Sequence, residues 1–166
     1  KLASAAGEPV ADDFEPFEDP DAKAKVELFV REVECQARAA IVVTLEPTWH
    51  LFHEQLGPPD ALGKPAGIEL GGAGLTWGAP VWPEPKKLDQ PVGADDKPTW
   101  IWAHEGTLVI YARGALGADA EVGRANVSII SETCDPKRCI ELDARVRAQG
   151  PGPDALFAHF PAVASL

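Results

Sequence analysis

The chain has no methionine, a single tyrosine and only three cysteines in 166 residues. With no methionine even at position 1, it reads as a processed or excised piece of a longer product. No apolar run approaches the ~20 residues of a membrane-spanning helix. Basic residues are scarce, 15 Lys and Arg against 26 Asp and Glu, which leaves a net charge of −11. That balance, with no basic patch to neutralise phosphates, argues against nucleic-acid binding. Helical periodicity is missing as well. There is no glycine-rich phosphate loop, and Ser128 and Ser131 lack the glycine elbow of a serine hydrolase. Three cysteines do not suit a pure disulfide framework, because one thiol is left over.

What is there is short, apolar and punctuated. Residues 1–23 are acidic and rich in Ala, Pro and Asp, the composition of a disordered leader or linker. Val26–Val33 is a first strand, with a bulge expected near Glu32, where the phase of the apolar positions changes. Ala39–Leu45 reads as a central strand buried on both faces. An aromatic segment, Trp49-His50-Leu51-Phe52-His53, follows. Ile68–Leu70 and Leu75–Trp82 are further extended runs, and residues 83–98 read as one long loop. Trp100–Ala103 and Thr107–Ala112 read as a hairpin turning at His104-Glu105-Gly106. Arg124–Thr133 and Ile140–Arg147 form another, around Cys134-Asp135-Pro136-Lys137-Arg138-Cys139. Residues 149–166 return to Gly, Pro and Ala and read as a linker or strap. Eight to nine short strands with no helix predict an all-β sandwich over residues 24–148, with a barrel as the alternative.

The cysteine hairpin carries the chemistry. Strand alternation places Cys139 with Glu141, Asp143 and Arg145, on the polar face opposite Ile140, Leu142, Ala144 and Val146. Cys134 falls on the same face with Ser128, Ile130 and Glu132. Facing positions on a hairpin bring Cβ atoms within about 4.5–5.5 Å, close to what a disulfide needs. The spacing alone allows either an inert bridge or a redox pair. Closing so short a loop contributes only about 2 kcal/mol, little for a domain large enough to hold its own core. An outward-facing bond is also open to attack by another thiol. Lys137 and Arg138 lower a thiol pKa by proximity, while Asp135 and Glu141 oppose them.

Zinc normally takes four ligands, and this loop supplies two. His50 and His53, three apart on a strand, face opposite ways and make poor joint ligands. His104 and His159 have no local partners, so neither a metal nor a cofactor is expected. Cys35, beside a turn at Gln36-Ala37-Arg38, reads as an inert, partly buried thiol. The five tryptophans read as core.

Taken together, Pro47-Thr48-Trp49-His50-Leu51-Phe52, Gly63-Lys64-Pro65 and a late Cys-x4-Cys hairpin continuing Ile-x-Leu resemble the amino-terminal periplasmic domain of the thiol:disulfide interchange protein DsbD, the disulfide-bond corrector domain family. The similarity covers about residues 24–148. It implies an immunoglobulin-like sandwich in which Cys134 and Cys139 are the redox pair, Cys139 attacking and Cys134 resolving. Trp49, His50 and Phe52 would line the site. A thioredoxin-like domain would donate electrons. A periplasmic disulfide isomerase or a cytochrome c maturation thioredoxin would accept them. Membrane contact would come only through other parts of a longer chain, and the location would be periplasmic or otherwise extracytoplasmic. In that family a cap loop with an aromatic tip shields the cysteines. The equivalent here, residues 83–98, has no aromatic.

Overall fold

The structure, a computed structural model, describes residues 13–162. Two antiparallel sheets pack face to face as an immunoglobulin-like β-sandwich. The strands are β1 (Phe17–Glu18), β2 (Ala24–Val33), β3 (Gln36–Leu45), β4 (His50–Phe52), β5 (Gly67–Gly71), β6 (Leu75–Trp77), β7 (Lys86–Gln90), β8 (Thr99–Glu105), β9 (Thr107–Leu116), β10 (Asn126–Cys134) and β11 (Cys139–Arg147). The seven-stranded sheet runs β1-β11-β10-β4-β8-β7, with β5 also on β10, and the four-stranded sheet runs β2-β3-β9-β6.

Period-two alternation builds the core. Val26, Leu28 and Val30 of β2 and Ile41 and Val43 of β3 meet Val127 and Ile129 of β10 and Leu142 and Ala144 of β11. Two polar residues join that inner face, Ser131 and Thr133, both essentially unexposed. Each finds an acceptor, since Ser131 Oγ donates to the Lys64 carbonyl at 3.4 Å and Thr133 Oγ1 to the Ile140 carbonyl at 3.2 Å. Buried hydroxyls are tolerated when paired in this way.

Several sequence expectations are corrected. β2 carries no bulge: its pairing with β3 runs unbroken from Ala24↔Leu45 to Val33↔Gln36. The turn between them is Glu34-Cys35, both at positive φ (51° and 67°), and Gln36–Arg38 already belongs to β3. Cys35 is exposed rather than partly buried. β8 and β9 are not a hairpin. β8 pairs with β4 and β7, and β9 with β3 and β6. Gly106, at φ 68°, lets the chain cross from one sheet to the other, a backbone that glycine adopts without strain. Residues 83–98 are not one loop, because β7 pairs along β8 from Lys86↔Ala103 to Gln90↔Thr99. That strand is Lys-Lys-Leu-Asp-Gln, an edge whose polarity hid it from an apolar pattern.

The leader reading fails for Phe17 and Glu18, which pair with Arg145 and Ala144. Residues 1–12 of that leader lie outside the described residues. Residues 149–162 run against the four-stranded sheet. Gln149 N donates to the Leu28 carbonyl, Arg31 reaches Asp154 at 2.9 Å, and Tyr111 Oη donates to the Leu156 carbonyl. Phe157 is thereby buried on the outer face of the four-stranded sheet, next to Tyr111. The central strand β3 is covered on both sides, and Ala39, Ala40 and Ile41 are all fully buried.

Candidate functional site

β10 and β11 pair residue by residue from Asn126↔Arg147 to Cys134↔Cys139. The last pair is bonded: Cys134 and Cys139 form a disulfide with Cα atoms 4.0 Å apart, the close spacing of a non-hydrogen-bonded pair. The intervening turn is held by Asp135. Its Oδ1 accepts from the backbone N–H of Lys137 and of Arg138, each at 2.8 Å, and its own N–H donates to the Arg138 carbonyl at 2.9 Å. Those two N–H donors hold the Asp135 carboxyl below its ordinary pKa.

Both cysteines share the outward face of the seven-stranded sheet, but their exposures differ. Cys139 is exposed, whereas Cys134 is only 4% exposed. The outward face is not uniformly polar. Phe52 of β4 and Ile101 and Ala103 of β8 form a second apolar cluster with Cys134, extended by Leu56, Ala61 and Leu88. The disulfide is therefore not simply solvent-facing: one sulfur-bearing residue is packed and the other presented.

Beside the disulfide opens a cleft of about 580 Å³, whose walls include His50, Phe52, Leu62, Val92, Glu132 and both cysteines. Two segments make the far wall. Residues 53–66 and the turn after β7 are tied by reciprocal hydrogen bonds between Leu62 backbone and the Gln90 side-chain amide, both 2.7 Å. They leave Leu62 and Val92 46% and 56% exposed, apolar tips beside the cleft. Phe52 holds its place because Gly63 has no side chain. A Cβ there would sit 2.5 Å from the ring, at a φ of 144°.

His50 is the cross-strand neighbour of Cys134 on one side and of Glu105 on the other. Its ring meets Phe52 edge-on at 5.7 Å. Burial lowers its pKa, partly offset by Glu105 and Asp135. Trp49, by contrast, is buried behind the turn, under the Lys23 ammonium and the Arg138 guanidinium at 5.6 and 5.5 Å. The structure thus brings His50 and Phe52 to the cleft with the disulfide and sets Trp49 and Arg138 against each other. Lys137 is exposed in the turn.

Two features escaped the reading of the sequence, one in the cleft and one outside it. A carboxylate oxygen of Glu132 and both sulfurs all lie within 4.8 Å of one another. Strand parity already placed Glu132 on the cysteine face, so that signal was available. In the oxidised pair the sulfurs are bonded to each other and are not the thiolates a metal would take. The other feature is His53 and His104, whose Nδ1 and Nε2 are 2.8 Å apart. Trp82 stacks on His104 and meets His53 edge-on. His53 and His104 are 51 residues apart in sequence, and no local spacing relates them.

No family model matches the chain, and no curated protein is similar to it. Among solved structures it resembles the N-terminal periplasmic domain of ScsB from Proteus mirabilis, at TM-score 0.54 and 16% identity over 80% of this chain. The match spans 49% of that chain, about half its length. A further match, the yeast GGA1 GAE domain, covers 80% of this chain at 9% identity and TM-score 0.40, a level from which nothing is drawn. The ScsB likeness is one of fold.

Proposed function

We propose that this domain performs extracytoplasmic thiol–disulfide exchange, relaying reductant from a thioredoxin-like donor to partner proteins through Cys134 and Cys139. The observation that carries the reading is the unequal exposure of the two bonded cysteines at the edge of an apolar-floored cleft. An inert staple needs no such cleft, and in a hairpin already paired along its full length it adds only about 2 kcal/mol.

In the proposed cycle a donor thiolate attacks the disulfide and a second donor thiol completes its reduction, giving a Cys134/Cys139 dithiol and a donor disulfide. The exposed Cys139, as thiolate, then attacks an acceptor disulfide and forms a mixed disulfide. Cys134, packed beneath it, attacks Cys139 Sγ and releases the acceptor as a dithiol. Two electrons pass at each stage. His50 and Phe52 shape the cleft, while Arg138 and Lys137 place positive charge in the turn. The resemblance to the DsbD amino-terminal domain and the fold likeness to the periplasmic ScsB domain support this reading and the location. From the DsbD resemblance alone, the acceptor we propose is a periplasmic disulfide isomerase or a cytochrome c maturation thioredoxin.

The test is the reduction potential of the pair, from equilibration with dithiothreitol or glutathione buffers. A value above about −300 mV is expected. A value well below it marks a structural bond and favours the alternative, a non-catalytic immunoglobulin-like binding module. On that alternative, a Cys134→Ala/Cys139→Ala double variant would still bind its partner.

A further inference from the structure

We infer that Glu132 is the proton acceptor and donor for the cysteine pair. The inference rests on the relay reading above and adds a residue to it. Glu132 lies two positions before Cys134 on β10, so both side chains leave the same face. Its carboxylate shares a 4.8 Å cluster with both sulfurs, and it lines the cleft that a partner would enter.

The other carboxylates around the pair are each engaged elsewhere, and the turn cation Lys137 carries no group able to accept a proton. Glu141, directly opposite Glu132 on β11, is bound by Lys64 Nζ at 3.0 Å. Glu105 on β8 pairs with Lys86 of β7 at 3.6 Å. Asp135 holds the turn through two backbone N–H groups. His50, from β4, faces Cys134 across the ladder, but the group clustered with both sulfurs is the carboxylate. Among the described residues Glu132 has neither an ion pair nor a hydrogen bond through its side chain. It is a half-buried carboxylate kept free beside the two atoms that exchange protons.

The step balances with one carboxylate used twice. The Cys139 S–H proton passes to Glu132, the thiolate attacks one sulfur of the acceptor disulfide, and the departing thiolate takes the proton from Glu132. The Cys134 proton then passes to Glu132, Cys134 attacks Cys139 Sγ, and the second departing thiolate takes that proton. One disulfide is reduced to two thiols, and the protein dithiol is oxidised to a disulfide.

Two reactions of the reduced protein separate this role from others. Alkylation by iodoacetamide draws on the thiolate present at equilibrium, whose amount does not depend on which group took the proton, and it returns no proton to a departing thiolate. Reduction of glutathione disulfide, whose leaving thiol has an ordinary pKa, needs both a thiolate and a returned proton. Glu132→Gln is expected to slow glutathione-disulfide reduction by about tenfold or more while alkylation at the same pH is unchanged or faster, since a negative charge next to the thiolate has been removed. Glu132→Asp is expected to recover part of the exchange rate. If Glu132→Gln slows both reactions equally, or slows neither, Glu132 is not the proton carrier and the relay reading stands. If the wild-type dithiol leaves glutathione disulfide untouched, the relay reading falls first and takes this role with it.

Discussion

His53 Nδ1 lies 2.8 Å from His104 Nε2, and Trp82 closes over both rings. Such a bond needs one nitrogen to donate and the other to accept, so at least one ring must be neutral. Burial, with His53 adding to it, pushes the His104 pKa down to about 4, and burial also lowers that of His53. The unfolded chain protonates these rings near the ordinary value of about 6.5. Stability from this pair is therefore complete above about pH 6.5 and is lost as pH falls toward 4, because the unfolded state then binds more protons. The expected loss from His104 alone is about 2 kcal/mol between pH 7 and pH 5. Urea midpoints at the two pH values will show it, and His104→Gln will show a smaller difference between them. An equal difference in both proteins would remove His104 as the source.

The cysteines should be separable by trapping. Cys134→Ser leaves the exposed Cys139 able to attack but nothing to resolve the product, so a stable mixed disulfide with a disulfide-bearing acceptor is expected on non-reducing gels. Cys139→Ser leaves a thiol that is only 4% exposed, and no adduct is expected. Adducts of equal yield from both variants would overturn the division of roles.

Reduction should not unfold the domain. The bond closes a loop of sequence separation 5, and in the chain-entropy model its removal costs about 2 kcal/mol. The dithiol form is expected to keep its far-ultraviolet spectrum, with a melting point lowered by several degrees. Loss of the folded signal on reduction would make the bond a structural necessity.

Gly63→Ala should disturb the cleft from a distance. The new Cβ meets the Phe52 ring at 2.5 Å and the residue sits at φ 144°, so both packing and backbone oppose it. A destabilisation of about 2 kcal/mol is expected, together with slower exchange at the disulfide. Chemical denaturation and the glutathione-disulfide rate measure the two effects. Unchanged values in both would show that the loop moves aside freely.

The Glu34-Cys35 turn offers a gain instead. Both residues occupy positive φ, where Asn and Gly are the favoured pair in two-residue hairpins. Glu34→Asn with Cys35→Gly is expected to add about 1 kcal/mol, read as a higher urea midpoint, with exchange at the cysteine pair unaffected.

The legible parts were those written in one strand's own alternation. The β10–β11 hairpin, the shared face of Cys134 and Cys139, and the two-sided burial of β3 all follow from residues close in sequence. Four things did not. β7 is Lys-Lys-Leu-Asp-Gln, and an edge strand needs no apolar face to pair. The separation of β8 from β9 turns on the backbone of Gly106, since the pattern of apolar residues on either side is the same for a hairpin and for a sheet crossing. The burial of Cys134 comes from Phe52 and Ile101 on other strands, so parity located its face but not what covers it. The His53–His104 pair is long-range in the same sense.

β10 carries β11 along its whole length on one side and is shared between β5 and β4 on the other. Cys134 thus sits on an interior strand, fastened to Cys139 and to His50 at once, with no open sheet edge to peel away. The sulfur–sulfur bond is no part of that lattice of backbone hydrogen bonds. The domain would meet an electron donor and an electron acceptor with the same surface in the same shape. Which of the two is bound would then be decided by the oxidation state of two atoms, and a redox cycle could run with almost no mechanical work.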